Sequence, residues 1–525
     1  MNLVNRFIDQ VQSAPERPAI IQVAGGIEKA VTYRELNGLS ASAAGFFREL
    51  GIEEGDVVLV FERMSIDLYV ILIGLWKIGA IAMFVDPSGG KKLLEASCRI
   101  GKPVAFVAIS KAHLYRFVSK EIRRIRIKVT IGRRYLPSRS WGEVSNHDRL
   151  GAVSKVELEQ PALYTFTSGS TGNPKAASRT HGLLLAQHTA LVDEIDLKAG
   201  EVDLATLPIF ALANLASGLT TLIPDCDLSR PGFIQADKVL QQIEEHRPDR
   251  CVASPAFLMR IEESARKRGT HLRISKIFTG GAPVFPRYLH ALKRVALNAE
   301  ITVVFGSTEA EPISHVSLSQ ISESDFENIR LGKGLLVGKL SPHVSLKIVE
   351  DRTGESLFGI SQEQFDRMAL PTGQPGEIVV AGSHVLSGYL NGEGDEENKI
   401  PIGERVWHRT GDTGYIDSDH RLWLLGRCSS KLEIGGAPVY PFSIEAAVSM
   451  DDRIAWSALI AIGGKRILAL EQREGSSETL KLSELPIPQN IVDEIVPIKR
   501  MPLDKRHNAK IDYRELRKLL ESRVD

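Results

Sequence analysis

Between residues 18 and 109, short apolar β-like runs alternate with helical ones, and this alternation limits the fold more than any other feature of the chain. AIIQV comes first, followed by a helix opening near Thr32 (TYRELNGLSASAAGFFREL), VVLVF after Gly55 and Asp56, a helix over 66–79, AIAMFVD and then PVAFVAI. Helices over 183–194 and 235–247 continue the pattern, the second feeding CVASP. Strand, helix, strand in this order reads as parallel α/β architecture. The run LYVILIGLWKIGAIAMFV at 68–85 is long and apolar, but Lys77 sits in its middle and Gly74 and Gly79 divide it. It reads as a buried helix turning into a buried strand rather than a membrane span.

A chain of 525 residues exceeds what one hydrophobic core supports, so at least two domains are expected. After residue 350 the composition shifts to Gly, Pro and acid, and EGDEEN at 393–398 reads as a surface loop. EIVVAG and RLWLLG then look like short antiparallel strands of a smaller, barrel-like β subdomain. The last hundred residues resemble a compact α+β domain ending in the charged helix YRELRKLLES. The expected division is 1–427 and 428–525.

Sixty-five acidic and 65 basic residues give zero formal charge, which argues against bulk nucleic-acid binding. Cys98, Cys226, Cys251 and Cys428 are scattered without metal-ligand or disulfide spacing, and a cytoplasmic location fits. The N-terminus has no secretory pattern and reads as an amphipathic helix. One basic run, Lys120 to Arg134, offers a contact with an anionic surface or membrane, but is read first as a solvated amphipathic face.

Residues 162–181, ALYTFTSGSTGNPKAASRTH, carry the strongest chemical signal. Tyr164 and Phe166 suit a buried strand, and Gly169 and Gly172 permit backbone angles that a Cβ would forbid. Thr167, Ser168, Ser170 and Thr171 add hydroxyls to the backbone N–H groups, and Lys175 adds a charge. Such a loop suits a polyphosphate. It lacks Walker A spacing, and on its own it would pass for a linker between a strand and a helix.

Four more stretches bear on it. IFTGGAPV (277–284) ends a strand in Gly280 and Gly281, which lets a flat ring lie against backbone. VVFGSTEAEP (303–312) places Phe305, Gly306, Ser307, Thr308 and Glu309 at a strand end, an aromatic face beside a hydroxyl and a carboxylate able to hold Mg²⁺. WHRTGDTGYID (407–417) presents Asp412 in a tight turn, where a carboxylate accepts bonds from ribose hydroxyls. HNAKID near the end carries Lys510 among small residues in an exposed loop. Each alone is an ordinary turn or surface motif. Their order is not ordinary.

With TYREL at 32–36 and GLWKIGA at 74–80, these stretches make nearly the whole chain resemble the acyl-activating adenylate-forming enzymes: acyl-CoA synthetases, fatty-acid ligases, adenylation domains and luciferases. The resemblance implies that TSGSTGNPK grips the phosphates of ATP and that the run including Gly280, Gly281 and Ala282 lies beside adenine. It makes Thr308 a phosphate ligand, Glu309 the Mg²⁺ ligand, Asp412 and Arg427 the ribose ligands, and Lys510 the catalytic lysine of a mobile C-terminal lid. Phe210, Ala211, Leu212, Ala213 and Val284 are expected to line the acid pocket. The implied reaction is attack of a carboxylate on the α-phosphorus of ATP, giving acyl-AMP and pyrophosphate.

The chain departs from many acyl-CoA synthetases where Ala211, rather than His, follows Phe210, at the hinge residue Ser429, at Glu433, and in Asn508-Ala509-Lys510 in place of Ser-Gly-Lys. PIFAL, the serine hinge and RHNAKI are similar to the β-lactone synthetases of bacterial olefin biosynthesis, which let a β-hydroxyl displace AMP. The expected substrate is therefore a fatty or β-hydroxy fatty acid. CoA is the alternative acceptor, partner enzymes of a lipid or secondary-metabolite pathway are expected, and stable membrane insertion is not. A catalytically silent nucleotide sensor is the reading from another class, opposed by retention of Glu309, Asp412, Arg427 and Lys510.

Overall fold

The computed structural model describes residues 1–168, 174–434, 436–473, 480–504 and 510–524. Contacts divide the chain into two units, the first formed by 1–228, 248–252 and 382–396, the second by 229–247, 253–381 and 397–525.

The first unit opens with α1 (Val4–Ser13), whose Val4 and Phe7 are buried. It continues with β1 (Pro18–Ala24), β2 (Ile27–Thr32), α2 (Tyr33–Glu49), β3 (Val57–Phe61), α3 (Ile66–Lys77), β4 (Ile81–Phe84), α4 (Gly90–Gly101), β5 (Ala105–Ile109), α5 (Tyr115–Val118), α6 (Lys120–Arg124), β6 (Ile127–Ile131) and β7 (Arg139–Ser140). After these come β8 (Pro161–Ser168), β9 (Pro174–Thr180), α7 (His181–Glu194), β10 (Val202–Ala205), α8 (Pro208–Ser217), β11 (Thr220–Ile223) and β12 (Arg250–Ala253).

The helix expected near Thr32 starts there because Thr32 accepts from the Glu35 N–H while Glu35 accepts from the Thr32 N–H, a closed capping box. Helix α3 is apolar on every face and buried, and its Lys77 Nζ donates to Asn37 Oδ1 at 2.7 Å. Burial pulls the pKa of Lys77 down to about 8. Among the described residues no helix is long and apolar enough to cross a membrane.

One sheet of this unit runs β7-β6-β5-β3-β4-β8-β9, parallel except for the antiparallel pair β8–β9. Strand β1 does not join it. It pairs in parallel with β11, which continues through β10 to β12, and the hairpin partner β2 covers its other side. The basic run is α6 followed by β6, with Ile122, Ile125, Ile127, Val129 and Ile131 turned into the core.

The second unit contains α9 (Ala236–His246), α10 (Pro255–Arg268), β13 (Lys276–Gly280), α11 (Pro286–Val295), β14 (Glu300–Ser307), β15 (Ala310–Ser317), α12 (Glu323–Arg330), β16 (Leu335–Leu340), β17 (Ser345–Val349), α13 (Gln362–Arg367) and β18 (Gly376–Ala381). The stretch expected as a surface loop at 393–398, over which the chain leaves the first unit for the second, includes a short helix, α14 (Asp395–Asn398). Strands β19 (Lys399–Ile402), β20 (Arg405–Ile416) and β21 (Arg421–Arg427) follow. Strand β13 pairs with β14 in parallel, and from β14 onward every pairing in β14-β15-β16-β21-β20-β18-β17 is antiparallel.

The C-terminal part comprises the hairpin β22 (Leu432–Ile434) and β23 (Ala437–Val439), α15 (Pro441–Val448), β24 (Ile454–Ile462), β25 (Lys465–Gln472), β26 (Glu494–Pro497) and α16 (Tyr513–Val524). Alternation along β24 and β25 sends Leu459 and Leu468 to one face, against Ile444 and Val448, and Ile460 and Ile467 to the other, against Leu516 and Leu520. Apolar clusters thus cover both faces of this small sheet.

Candidate functional site

In the first unit the Thr/Ser/Gly stretch connects strands β8 and β9. Strand β8 pairs antiparallel with β9 in the register Thr167↔Lys175 and Ser168↔Pro174, so the stretch links two strands rather than a strand and a helix. Tyr164 and Phe166 are buried in β8 as expected. Gly169, Ser170, Thr171 and Gly172 lie outside the described residues. Lys175 is buried, with its Nζ 5.8 Å from the ring centre of Tyr389.

A Cβ at Gly394 would stand 2.8 Å from Lys175 Cδ and Cε, and Gly394 has φ +100°, so only glycine fits against the lysine stem. This enclosure went unread in the sequence. The signal was a Gly-rich acidic segment more than 200 residues downstream, which composition marks only as a loop.

Helix α8 splits the expected acid-pocket residues. Ile209, Leu212, Ala213 and Ala216, spaced three and four apart, face a small apolar pocket of about 50 Å³ shared with α1 and α7. Phe210 and Ala211 are buried, Ala211 within the main core of the unit. Val284 is buried in the second unit, beyond the end of β13.

In the second unit the strand ends stand as expected. Gly280 closes β13, and a Cβ there would lie 2.3 Å from the Val304 carbonyl, so close approach of β13 and β14 requires glycine. Gly281 has φ +76° with open space beside it, and Ala282 follows in the same loop. Phe305, Gly306 and Ser307 end β14, and Thr308 and Glu309 form the two-residue turn to β15, Thr308 exposed and Glu309 half-buried. A Cβ on Gly306 would press to 2.9 Å from the Ala310 carbonyl, so the hairpin itself demands that glycine.

Ser307 Oγ and Thr279 Oγ1, at the ends of these two paired strands, are buried and have no hydrogen-bond partner among the described residues. Buried hydroxyls of this kind at parallel strand ends fit a polar ligand that brings acceptors.

Asp412 is not in a tight turn. It sits within the long strand β20, opposite Arg427 of β21, and the turn-like composition reflects Gly411, which kinks the strand at φ +68°. Arg427 Nη1 lies 3.3 Å from Asp412 Oδ1 and donates to the Thr410 carbonyl at 2.8 Å. Burial raises the pKa of the Asp412 carboxyl above the usual range, the cations of Arg427 and Lys510 oppose the shift, and Glu377 adds to it. A buried carboxylate in this state gains from hydroxyl donors. Behind it, Glu377 and Arg409 form a buried ion pair at 2.6 Å.

Lys510 is exposed, as expected, and the structure adds how it is held. Its N–H donates to Asp504 Oδ1 at 2.9 Å while the Asp504 N–H donates to the Lys510 carbonyl at 2.8 Å, and Leu503 bridges Ile511. Three residues on, the Tyr513 hydroxyl donates at 2.6 Å to buried Glu445, which also accepts from the Leu459 N–H. Burial pushes the Glu445 carboxyl up to about 7. A separate open groove of about 700 Å³, bordered by α12, β20 and β21 and carrying the Asp325–Arg421–Asp417 cluster, includes none of the candidate residues.

Among the described residues no group of three or more His, Cys, Asp or Glu side chains could hold a metal. A single carboxylate such as Glu309 fits a hard cation whose other ligands are phosphate oxygens and water.

The chain is 28% identical to an olefin beta-lactone synthetase of Stenotrophomonas maltophilia, over 92% of this chain and 90% of the relative. It is 29% identical to one from Xanthomonas campestris, over 93% and 90%, and 25% identical to a 4-coumarate-CoA ligase of Narcissus pseudonarcissus, over 96% and 90%. In fold it is similar to the amide bond synthetase McbA of Marinactinospora thermotolerans, with TM-score 0.79, 20% identity and 99% of both chains covered. ATP-bound MatB of Rhodopseudomonas palustris also gives 0.79, at 17% identity over 100% of this chain and 99% of that one. The sequence pattern of AMP-binding enzymes matches residues 7–390, so the chain belongs to the AMP-binding enzyme family, the acid-activating, AMP-forming ligases.

Proposed function

We propose that this enzyme activates a β-hydroxy fatty acid with ATP and closes it to a β-lactone, releasing AMP. The observation that carries the reading is similarity along nine-tenths of the chain to two olefin beta-lactone synthetases, joined by the alanine that follows Phe210 in α8.

In the first step a carboxylate oxygen bonds to the α-phosphorus of ATP and the bond from that phosphorus to pyrophosphate breaks. A carboxylate is a poor nucleophile beside a polyanion, so charge must be neutralised around it. Lys510 is assigned to the carboxylate and α-phosphate oxygens, and Thr308 with Thr167, Ser168 and Lys175 to the phosphates. The ribose hydroxyls fall to Asp412 and Arg427, with Glu309 as the Mg²⁺ ligand. The metal, when bound, supplies charge neutralisation to the phosphates.

In the second step the β-hydroxyl oxygen attacks the acyl carbon. The bond to AMP breaks, the hydroxyl proton passes to solvent, and no thiol takes part.

The 4-coumarate-CoA ligases among the relatives favour a second reading, transfer of the acyl group to CoA. Incubation with ATP, Mg²⁺ and β-hydroxy fatty acids, with and without CoA, separates the two. Lactone without thiol supports the proposal, and strict dependence on CoA overturns it. Replacing Lys510→Ala is expected to lower acid-dependent ATP–pyrophosphate exchange by ~10²–10³ while leaving nucleotide binding largely intact. Full exchange in that variant removes Lys510 from the chemistry.

A further inference from the structure

A second feature of the first unit lies outside this chemistry. The chain is neutral overall, yet residues 110–139 carry ten lysines and arginines against one acid, Glu121. Beside these cations stand apolar side chains that face water: Leu114 is 60% exposed, Phe117 62%, Val118 55% and Tyr135 70%.

The two segments that present them, one around α5 and one after β6, are joined. Arg116 Nη1 donates to the Pro137 carbonyl at 3.0 Å, and the Ser110 hydroxyl donates to the Arg133 carbonyl. The Arg133 guanidinium sits 5.5 Å from the Tyr135 ring centre. Because Ile122, Ile125 and Ile127 already fill the core side of this region, the outward apolar groups are surplus to its packing.

We infer that this edge, residues 110–118 and 132–138, docks the enzyme on an anionic lipid bilayer. Exposed aliphatic and aromatic groups ringed by cations enter the boundary between head groups and acyl chains while the charges stay with the lipid phosphates. A nucleic acid or an acidic protein would satisfy the cations but give Leu114 and Val118 nothing to leave water for, so the combination favours lipid. The position suits the bilayer too. Strands β5, β6 and β8 run parallel within one sheet, so the docking edge and the end of β8 that enters the candidate phosphate loop share one sheet edge. The inference does not depend on which acid is activated.

The test is co-sedimentation of the full chain with vesicles of phosphatidylcholine alone and of phosphatidylcholine and phosphatidylglycerol in equal parts. Binding is expected to the anionic vesicles and to weaken with salt. The triple variant Lys111→Glu, Arg133→Glu, Arg134→Glu should weaken it by at least ~10²-fold, since one cation near an anionic surface contributes about fivefold. The variant Leu114→Ser, Phe117→Ser should weaken it at least about tenfold while retention on heparin is unchanged. Exchange activity with a short, water-soluble acid serves as the folding control, because neither variant touches a candidate site residue. No binding of the parent protein to the anionic vesicles overturns the inference. So does full vesicle binding by the Leu114→Ser, Phe117→Ser variant, which would make the edge a general polyanion contact.

Discussion

Asp504 offers a way to test whether Lys510 acts from a fixed position. Its carboxylate accepts the Lys510 N–H at 2.9 Å and its own N–H reaches the Lys510 carbonyl at 2.8 Å, a clasp that closes the segment on both sides of the lysine. Asp504→Ala removes the charged half and leaves the backbone half. A hydrogen bond to a charged acceptor contributes ~1.5–3 kcal/mol, and in this exposed setting the lower end applies, about tenfold in the population that presents Lys510. Acid-dependent ATP–pyrophosphate exchange should therefore fall about tenfold. In a Lys510→Ala background Asp504→Ala should have little further effect, because the residue acts only through the lysine. Consumption of chemically prepared acyl-AMP, which skips adenylation, should be unchanged. An equal loss in both backgrounds, or full exchange in the single variant, refutes the positioning role.

Three further outcomes follow from the same geometry. Asp412→Asn should raise the KM for ATP by roughly 10–10²-fold through loss of a charged acceptor for the ribose, with a smaller change in kcat, as steady-state kinetics would show. Gly280→Ala should destabilise the protein by at least ~1–3 kcal/mol in denaturant unfolding, because its Cβ meets the Val304 carbonyl at 2.3 Å and strands β13 and β14 must part. Glu445, with its carboxyl pushed up to about 7, binds a proton more tightly when folded than when unfolded. The stability it lends is complete below its unfolded pKa and is lost as pH rises through about 7, roughly 3 kcal/mol in all. Glu445→Gln keeps the acceptor for Leu459 and Tyr513 without titrating, so its melting temperature relative to the parent should climb between about pH 5 and pH 8. A pH-independent difference would remove the buried acid from the account.

Much of this was legible because it is local. The capping box at Thr32 and Glu35, the buried run through α3 and β4, and the strand ends at Gly280 and Phe305 are each specified within a few residues, and each stands where the sequence places it. What pairing at a distance decides was hidden. Alternation shows that AIIQV is a strand but not that it joins β11, some 200 residues away, instead of β3. Thr-Gly-Asp has the composition of a turn, yet the flanking β-formers of β20 carry it through as a kinked strand with Asp412 facing Arg427. The contact of Gly394 with Lys175 and the link from Tyr513 to Glu445 depend on the folded chain bringing distant residues together, and no local spacing announces them. The α8 residues are expected together around one acid pocket, but helical periodicity divides them between a small pocket and the core.

The most direct measurement of the central claim follows an oxygen atom. If the acid's own carboxylate attacks the α-phosphorus, an acid labelled with heavy oxygen in its carboxyl group must hand one labelled atom to AMP, and the lactone must keep the other in its carbonyl, all in the absence of CoA. Mass spectrometry of the two products reads this in one experiment. AMP free of label, or release of ADP in its place, would contradict acid adenylation by this enzyme.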